Sequence, residues 1–296
     1  MPTTVLGLTD IIWHHPANRG RRVRALAASV GWQVYKRAIR RPVNIRAFGD
    51  MRFRAYPDST EPGRLLYFGG LPDYHEMWFM RRYLRPGDRV IDGGANAGLY
   101  TLLASKLVGP TGHVDAFEGA PATAERLREN VALNAIVQAQ VHQVALAGEP
   151  GTVDFTVNRA KDSANRIRTD DDSNAMTVQV EAVVLDHAVS GRYAFGKLDV
   201  EGAEGAVLSG AHRMLSEHSP PVWQLELVDR FSRRFGWTRA EVVEFLRSCG
   251  YMLADYDADT NNLAVGREPG SGRPDVLAVA VDSLDEVLER ITSSDQ

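Results

Sequence analysis

Cysteine is nearly missing from this chain: among 296 residues only Cys249 carries a thiol. One thiol excludes an internal disulfide and a cysteine-based zinc cluster, and it fits a reducing, cytoplasmic setting. Cys249 itself, after a helical segment, reads as a small buried apolar residue. Long apolar runs are missing too. No stretch of about 18 apolar residues occurs, so no membrane-spanning segment is expected. The apolar run at 5–13 is broken by Asp10 and follows no basic segment, which makes it a poor signal peptide. The histidines show no metal-ligand spacing. No internal repeat is visible, and the flexible-looking REPGSGRP is too short for an interdomain linker. A formal net charge of -4 gives no global electrostatic case for a nucleic-acid partner. One local absence is sharper. Positions 11–49 hold no acidic residue, while Arg19, Arg21, Arg22, Arg24, Lys36, Arg37, Arg40 and Arg41 are basic.

What is present suits a globular protein, with 44% hydrophobic and 24% charged residues. In the acid-free stretch Val23, Leu26, Ala27, Val30 and Val34 recur at helical spacing, predicting a basic amphipathic helix that Pro42 ends. Such a helix would cap the substrate side, form a homodimer contact, hold an anionic substrate, or rest as a peripheral element on an anionic membrane surface. Short strands are expected at 43–48 and 51–56, then a helix carrying Met77, Phe79, Met80 and Tyr83 up to the turn Pro86-Gly87-Asp88. From there strands and helices alternate: strand 90–91, helix 99–108, strand 114–117, helix 122–134, strand 141–146. That rhythm predicts an α/β, Rossmann-like, mostly parallel sheet with helices on both faces. It breaks at Gly151, where 152–157 and 177–184 alternate polar and apolar residues as a β-hairpin insertion spanning about 151–185. The pattern resumes with strand 194–200, helix 202–217 and strand 222–228. Thr238 and Glu241 form a capping box for a further helix. Late antiparallel strands follow at 252–255, 263–265 and 276–281, then a helix with Leu284, Val287, Leu288 and Ile291 on one face. The expected division is a cap segment at 1–80 and a main domain at 81–296.

The strand-to-helix turn reads Asp92-Gly93-Gly94-Ala95-Asn96-Ala97-Gly98. It is not the G-x-G-x-x-G of a pyrophosphate-binding turn, and no Walker lysine follows, so a dehydrogenase or a nucleoside triphosphatase is not expected. Asn96 stands where a middle glycine would, and asparagine tolerates left-handed backbone. Glu118 ends the second strand, where a carboxylate accepts hydrogen bonds from two ribose hydroxyls. Asp92 at the first strand end can meet an ammonium group. A ligand with an amino-acid moiety, a nucleoside and no phosphate matches this set, and S-adenosylmethionine is that ligand. Gly93, Gly98, Tyr100 and Ala145 are expected around it.

The segments VIDGGANAGLYTLLASK, VDAFEGAP, ERLRENVALN, VALAGEPGTVDF, KLDVEGAEGAVLSGA and PVWQLEL resemble the FkbM-type S-adenosylmethionine-dependent O-methyltransferases. The resemblance implies a class I methyltransferase fold, with a seven-stranded sheet and a reversed last strand. It implies Asp92, Gly94, Asn96 and Glu118 as cofactor contacts. It also implies a small-molecule or glycan acceptor methylated on a hydroxyl, such as a lipid-linked sugar or a secondary metabolite. Two positions depart from the family. Gly93 stands where an aliphatic residue is usual, which would add backbone freedom. Gly119 stands where proline is common, which would loosen the ribose-side loop.

An alcohol acceptor must lose its proton during methyl transfer, so a positioned base is sought. Lys197, Asp199 and Glu201 alternate along the fourth parallel strand and share a face. Asp199 is the first candidate base, Glu201 the second, and Lys197, lying deeper, would hold the carboxylates ionised. The competing reading is a buried Lys197–Asp199 pair with no catalytic role. Glu226 on the next strand could face the same pocket and orient the acceptor. With Asp199 and Glu201 it could also form a magnesium site, but without a tight aspartate pair no metal is assigned. Glu204 suits the first turn of a helix. On the acceptor side Tyr74, His75 and Glu76 are candidates, as are Ser163 and Asn165 in the polar insertion loop that also holds Lys161, Asp162, Arg166 and Arg168. The alternatives are a non-catalytic S-adenosylmethionine-binding protein of the same fold and an N- or C-methyltransferase. An amino acceptor of the DNA or glutamine kind is disfavoured by the lack of an Asn-Pro-Pro-Tyr-like segment.

Overall fold

The computed structural model describes residues 5–157, 165–169, 176–267 and 274–293. Two helices, α1 (Val5–His14) and α2 (Arg22–Ala38), lead into a hairpin of β1 (Val43–Ala47) and β2 (Met51–Ala55). Helices α3 (Glu61–Tyr67) and α4 (Tyr74–Tyr83) follow. The α/β unit then begins with β3 (Arg89–Gly93), α5 (Leu99–Val108), β4 (His113–Phe117), α6 (Pro121–Leu133) and β5 (Ala139–His142). The chain next leaves the sheet through β6 (Ala145–Leu146), β7 (Gly151–Thr156), β8 (Arg166–Ile167), β9 (Thr177–Val183) and α7 (Leu185–Ala188). It returns with β10 (Phe195–Leu198), α8 (Glu204–Gly210), α9 (His212–Ser216), β11 (Val222–Glu226), α10 (Asp229–Ser232) and α11 (Arg239–Ser248). It closes with β12 (Tyr251–Asp257), β13 (Asn262–Val265), β14 (Asp275–Ala280) and α12 (Leu284–Thr292).

The main sheet runs β13-β12-β14-β11-β10-β3-β4-β5. Neighbours from β11 through β5 pair in parallel, and β14 is antiparallel to both β11 and β12. The reversed strand is therefore β14, while β12 runs with the parallel body. The expected count of seven becomes eight, because β13 folds back on β12 as an added edge strand. Alternate residues of each central strand go to opposite faces. Val90, Phe195, Val222, Leu277 and Val279 meet α4, α5 and α12 on one side. Ile91, Leu198, Trp223, Leu225 and Ala278 meet α8, α9 and α11 on the other. Full burial of such side chains stabilises by about 1.5–3 kcal/mol each, which explains why the strands read as unbroken apolar runs.

Three local expectations change. The strand at 141–146 is two strands: β5 edges the main sheet, and β6 turns away to pair with β9. The insertion is therefore a four-stranded sheet, β6-β9-β7-β8, built around the expected β7–β9 pair. The helix at 202–217 is interrupted at Ala211. There the backbone of Gly210 passes so close to Gly148 that an added Cβ would lie 2.7 Å from the Gly148 carbonyl oxygen.

The expected helix α2 forms, and it packs by a second stripe. Its inward face is Ala25, Ser29 and Trp32, packed with Ile12, Ala55 and Tyr67. The valine stripe turns to water: Val23 is 74%, Val30 63% and Val34 60% exposed. Trp32 explains the choice, since one indole buries more apolar area than any of these valines. Among the described residues no helix is long and apolar enough to cross a membrane.

Candidate active site

A cavity of about 470 Å³ opens at the carboxyl ends of β3, β4, β10 and β11, where ligands bind in open parallel sheets. The turn after β3 forms its floor. Gly94, Asn96 and Gly98 all take positive φ, at 75°, 49° and 97°. Gly94 is required for space as well as conformation, since a Cβ there would sit 1.8 Å from the Asp199 carbonyl oxygen. The Gly94 and Ala95 amides donate to the Phe117 carbonyl at 3.0 and 2.9 Å, which ties the turn to the end of β4. Glu118 locks it further, accepting from the Asn96 amide at 3.0 Å and the Ala120 amide at 2.8 Å. Glu118 is buried against the cavity wall.

Gly93 and Gly119 have reasons other than looseness. Gly93 does not take positive φ; a Cβ there would strike Leu198 and Leu146 at 2.7 and 2.8 Å. Gly119 gives its space to Phe155 of β7, whose ring lies 2.6 Å from the place of a Cβ. Phe155 thus packs on the ribose-side loop rather than leaving it free. Phe117, Ala145, Leu146, Phe155 and Ile167 make this end of the cavity apolar, suited to a flat aromatic base.

The other end is charged. Asp92 and Lys197 are register partners on β3 and β10, and both are buried. Thr101 donates to Asp92 Oδ2 at 2.6 Å. Among the described residues Asp92 Oδ1 has no hydrogen-bond partner, and Asp92 lines the cavity. An orphaned carboxylate oxygen of this kind suits the ammonium of an amino-acid moiety. Burial raises the Asp92 pKa, opposed by Lys197 and Thr101. The Lys197 ammonium donates to Asp199 Oδ2 at 3.1 Å and lies 4.6 Å over the Tyr100 ring. Burial works against its charge, but Asp199 and Asp92 outweigh that and raise its pKa.

Asp199, Glu201 and Glu226 have carboxylate oxygens all within 4.8 Å of one another. Burial would neutralise Asp199, but Lys197, Arg64 and a hydrogen bond with Glu226 hold it below the usual carboxylate range. Glu226 goes the other way, pushed up to about 9 by burial and then by Asp199 and Asp275. At neutral pH the pair is one carboxylate and one carboxylic acid. The same three groups could hold a divalent cation through oxygen ligands. Glu201 adopts φ 55° at the strand end, an uncommon backbone state for a side-chain-bearing residue and one that clusters at functional sites.

The Glu226 shift has a measurable sign. The folded state binds this proton more tightly than the unfolded chain, whose carboxyl titrates near its ordinary 4.5. The stabilising contribution is complete below that value and is lost as pH rises toward about 9. Glu226→Gln keeps the donor without the titration, so its melting temperature should gain on wild type between pH 5 and pH 8. A pH-independent difference would remove the buried carboxylic acid.

Sequence reasoning missed a third wall. Arg64 of α3 donates to both Asp73 oxygens, at 2.7 and 2.8 Å, and to Glu61 at 3.1 Å. The Tyr100 hydroxyl donates to Asp73 at 3.0 Å and accepts from Gln224 at 3.0 Å. Glu61, Arg64, Asp73 and Asp275 all line the cavity. Asp275 is raised well above the usual range, by burial first and then by Asp73 and Glu76. The available signal was Asp73 as an acid just before a helical run, and Asp275 as an acid opening an apolar strand.

The expected acceptor residues next to Asp73 do not reach the cavity wall. Tyr74 donates to Asp259 at 3.1 Å, and His75 accepts from the Ala258 amide at 3.1 Å, so both tie α4 to the loop after β12. Glu76 follows one position on and does not line the wall either, although its charge acts on Tyr100 and Asp275, which do. Asn165 does line it, donating to Thr123 at 3.2 Å, whereas Ser163, Lys161 and Asp162 lie outside the described residues. Of the cofactor set, Asp92, Gly94, Asn96, Tyr100, Glu118 and Ala145 line the cavity; Gly93 and Gly98 shape the turn behind it. Arg230 and Phe231, which the sequence did not single out, close the side beyond Glu226.

The family model described as "Methyltransferase FkbM domain" matches residues 92–253, more than half of the chain. Among curated proteins, Methyltransferase 1 of Beauveria bassiana is 29% identical over 143 residues, 41% of this chain and 57% of that protein. Protein-L-isoaspartate O-methyltransferase of Ignicoccus hospitalis is 44% identical over 82 residues, 28% of this chain and 39% of that protein. The chain thus matches these curated relatives over only about half of their length or less. Among solved structures, methyltransferase FkbM from Methylobacillus flagellatus aligns with 89% of this chain and 60% of its own, at 15% identity and a TM-score of 0.43.

Proposed function

The chain belongs to the methyltransferase FkbM domain family, and on that footing we propose that it is an S-adenosylmethionine-dependent O-methyltransferase acting on a hydroxyl of a sugar, glycan or secondary metabolite. The observation that carries this reading is one cavity with two unlike ends. One end pairs the glycine turn and Glu118 with apolar walls. The other gathers Asp199, Glu201 and Glu226 around Lys197. When bound, S-adenosylmethionine supplies a methyl group on a sulfonium, open to in-line attack by oxygen.

Glu118 would accept the ribose hydroxyls and the open Oδ1 of Asp92 the ammonium. The volume falls within the ~300–1,000 Å³ usual for small-molecule sites. Asp199 is kept ionised by Lys197 and Arg64, so it can accept a hydrogen bond from the acceptor hydroxyl and aim its lone pair. Its low basicity is adequate, because an alcohol proton becomes strongly acidic as the new carbon–oxygen bond forms. Glu201 stands by as a second acceptor, and Glu226, protonated, can donate to a second acceptor oxygen. Arg230 and Phe231 would line the path by which the acceptor enters.

The test is calorimetric titration with S-adenosylmethionine, S-adenosylhomocysteine and NAD, followed by a methyl-transfer screen across hydroxylated sugars and metabolites. One-site binding of the first two without NAD is expected. Binding without transfer to any acceptor would favour a non-catalytic sensor, and transfer to an amine or carbon would replace the O-methyl assignment.

A further inference from the structure

Among the described residues nothing covers the outward face of α2. Val23, Ala27, Val30 and Val34 follow one another at helical spacing on the exposed side, opposite Ala25, Ser29 and Trp32. Exposure reaches 74% at Val23, and Ile39 just past the helix end is 52% exposed. Nearby, Trp13 of α1 is 38% exposed, and the Arg22 guanidinium lies 5.4 Å over its ring. Arg22, Arg24, Arg37, Arg40 and Arg41 are exposed around the stripe. Arg24 and Arg41 form no ion pair with a described acidic side chain, and the acids that bracket the stretch are engaged elsewhere, Asp10 by His14 at 3.1 Å and Asp50 by Lys106. A soluble helix that wants only water does not place valines in a row on its outer side.

We infer that α2, with Trp13, is a docking surface for an anionic lipid bilayer. Valines and an indole flanked by arginines match the layered chemistry of a membrane surface, apolar below the headgroups and negative at them. A second copy of this chain fits less well. Packing two such helices together would set arginines against arginines, with no acid between positions 11 and 49 to neutralise them. A nucleic acid would satisfy the arginines and leave the valine stripe in water. The surface also sits one helix away from the cavity. Trp32 and Ala25 pack with Tyr67 at the end of α3, Gln33 donates to the Tyr67 hydroxyl at 2.6 Å, and α3 carries Glu61 and Arg64 to the cavity wall.

Co-sedimentation with phosphatidylcholine vesicles, with and without phosphatidylserine, tests this on the full chain. Binding to phosphatidylserine vesicles at least ~tenfold stronger than to phosphatidylcholine alone is expected, weakening with salt. Arg24→Glu with Arg41→Glu should reduce it by about tenfold or more, and Val30→Asp with Val34→Asp should reduce it similarly. All four positions are exposed, so melting temperature and cofactor titration should match wild type, which separates this surface from the cavity. Equal binding to both vesicle types, or none to either, overturns the inference. So does a wild-type dimer that Val30→Asp with Val34→Asp dissociates while vesicles stay unbound. Arginine-dependent binding to RNA or DNA without vesicle binding overturns it as well.

Discussion

Replacing Glu118 by alanine should weaken S-adenosylmethionine binding by about 10²–10⁴-fold. Two charge-assisted hydrogen bonds to ribose hydroxyls are at stake, each worth roughly 1.5–3 kcal/mol, and about 1.4 kcal/mol is a factor of ten. Part of the loss would be indirect. Glu118 also holds the Asn96 and Ala120 amides, so truncation frees the turn that the nucleoside rests on. Glu118→Gln separates the two effects, because one amide oxygen can still accept while the charge is gone. Its affinity should fall between the others. Calorimetry reads all three, and an alanine variant that binds like wild type would mean the nucleoside lies elsewhere.

Asp199→Asn should lower turnover by about 10²–10⁴-fold, the usual worth of a positioned proton acceptor, and leave cofactor affinity close to wild type. The amide keeps the volume and the Lys197 contact, and Asp92, the proposed partner of the ammonium, is untouched on β3. Burst-free initial rates with a saturating acceptor, alongside calorimetry, separate the two quantities. Wild-type turnover in this variant would return Asp199 to a structural ion pair, with Glu201 the remaining carboxylate to test.

The alternation of strands and helices from 89 to 228 was legible because both faces of the sheet are covered, so each strand is a short apolar run bounded by turns. Leu99–Val108 was readable to the residue, and the Thr238–Glu241 capping box forms as its spacing suggested. The turn at 92–98 was legible for another reason: left-handed backbone and close approach leave few residue choices, and Gly94, Asn96 and Gly98 are those choices. α2 was legible as a helix, but its inward face was not, because periodicity alone does not weigh Trp32 against a stripe of smaller side chains. Arg64, Asp73 and Asp275 were invisible for a topological reason. They come from α3, the start of α4 and the start of β14, and only the folded chain brings them together around Tyr100. The break at Ala211 lies beside the close approach of Gly210 to Gly148, a long-range contact that no local pattern encodes.

The place where a Gly94 side chain would stand is filled by the Asp199 carbonyl oxygen. The turn proposed to receive one substrate and the strand end proposed to orient the other therefore meet main chain to main chain, with no compliant side chain between them. For redesign this makes 92–98 and 197–201 a fixed chassis, in which a change meant for one ligand displaces the other. Arg230 and Phe231 of α10 and Asn165 of the insertion stand around the same opening. A library seeking a new acceptor should be spread over those three positions and leave the joint alone.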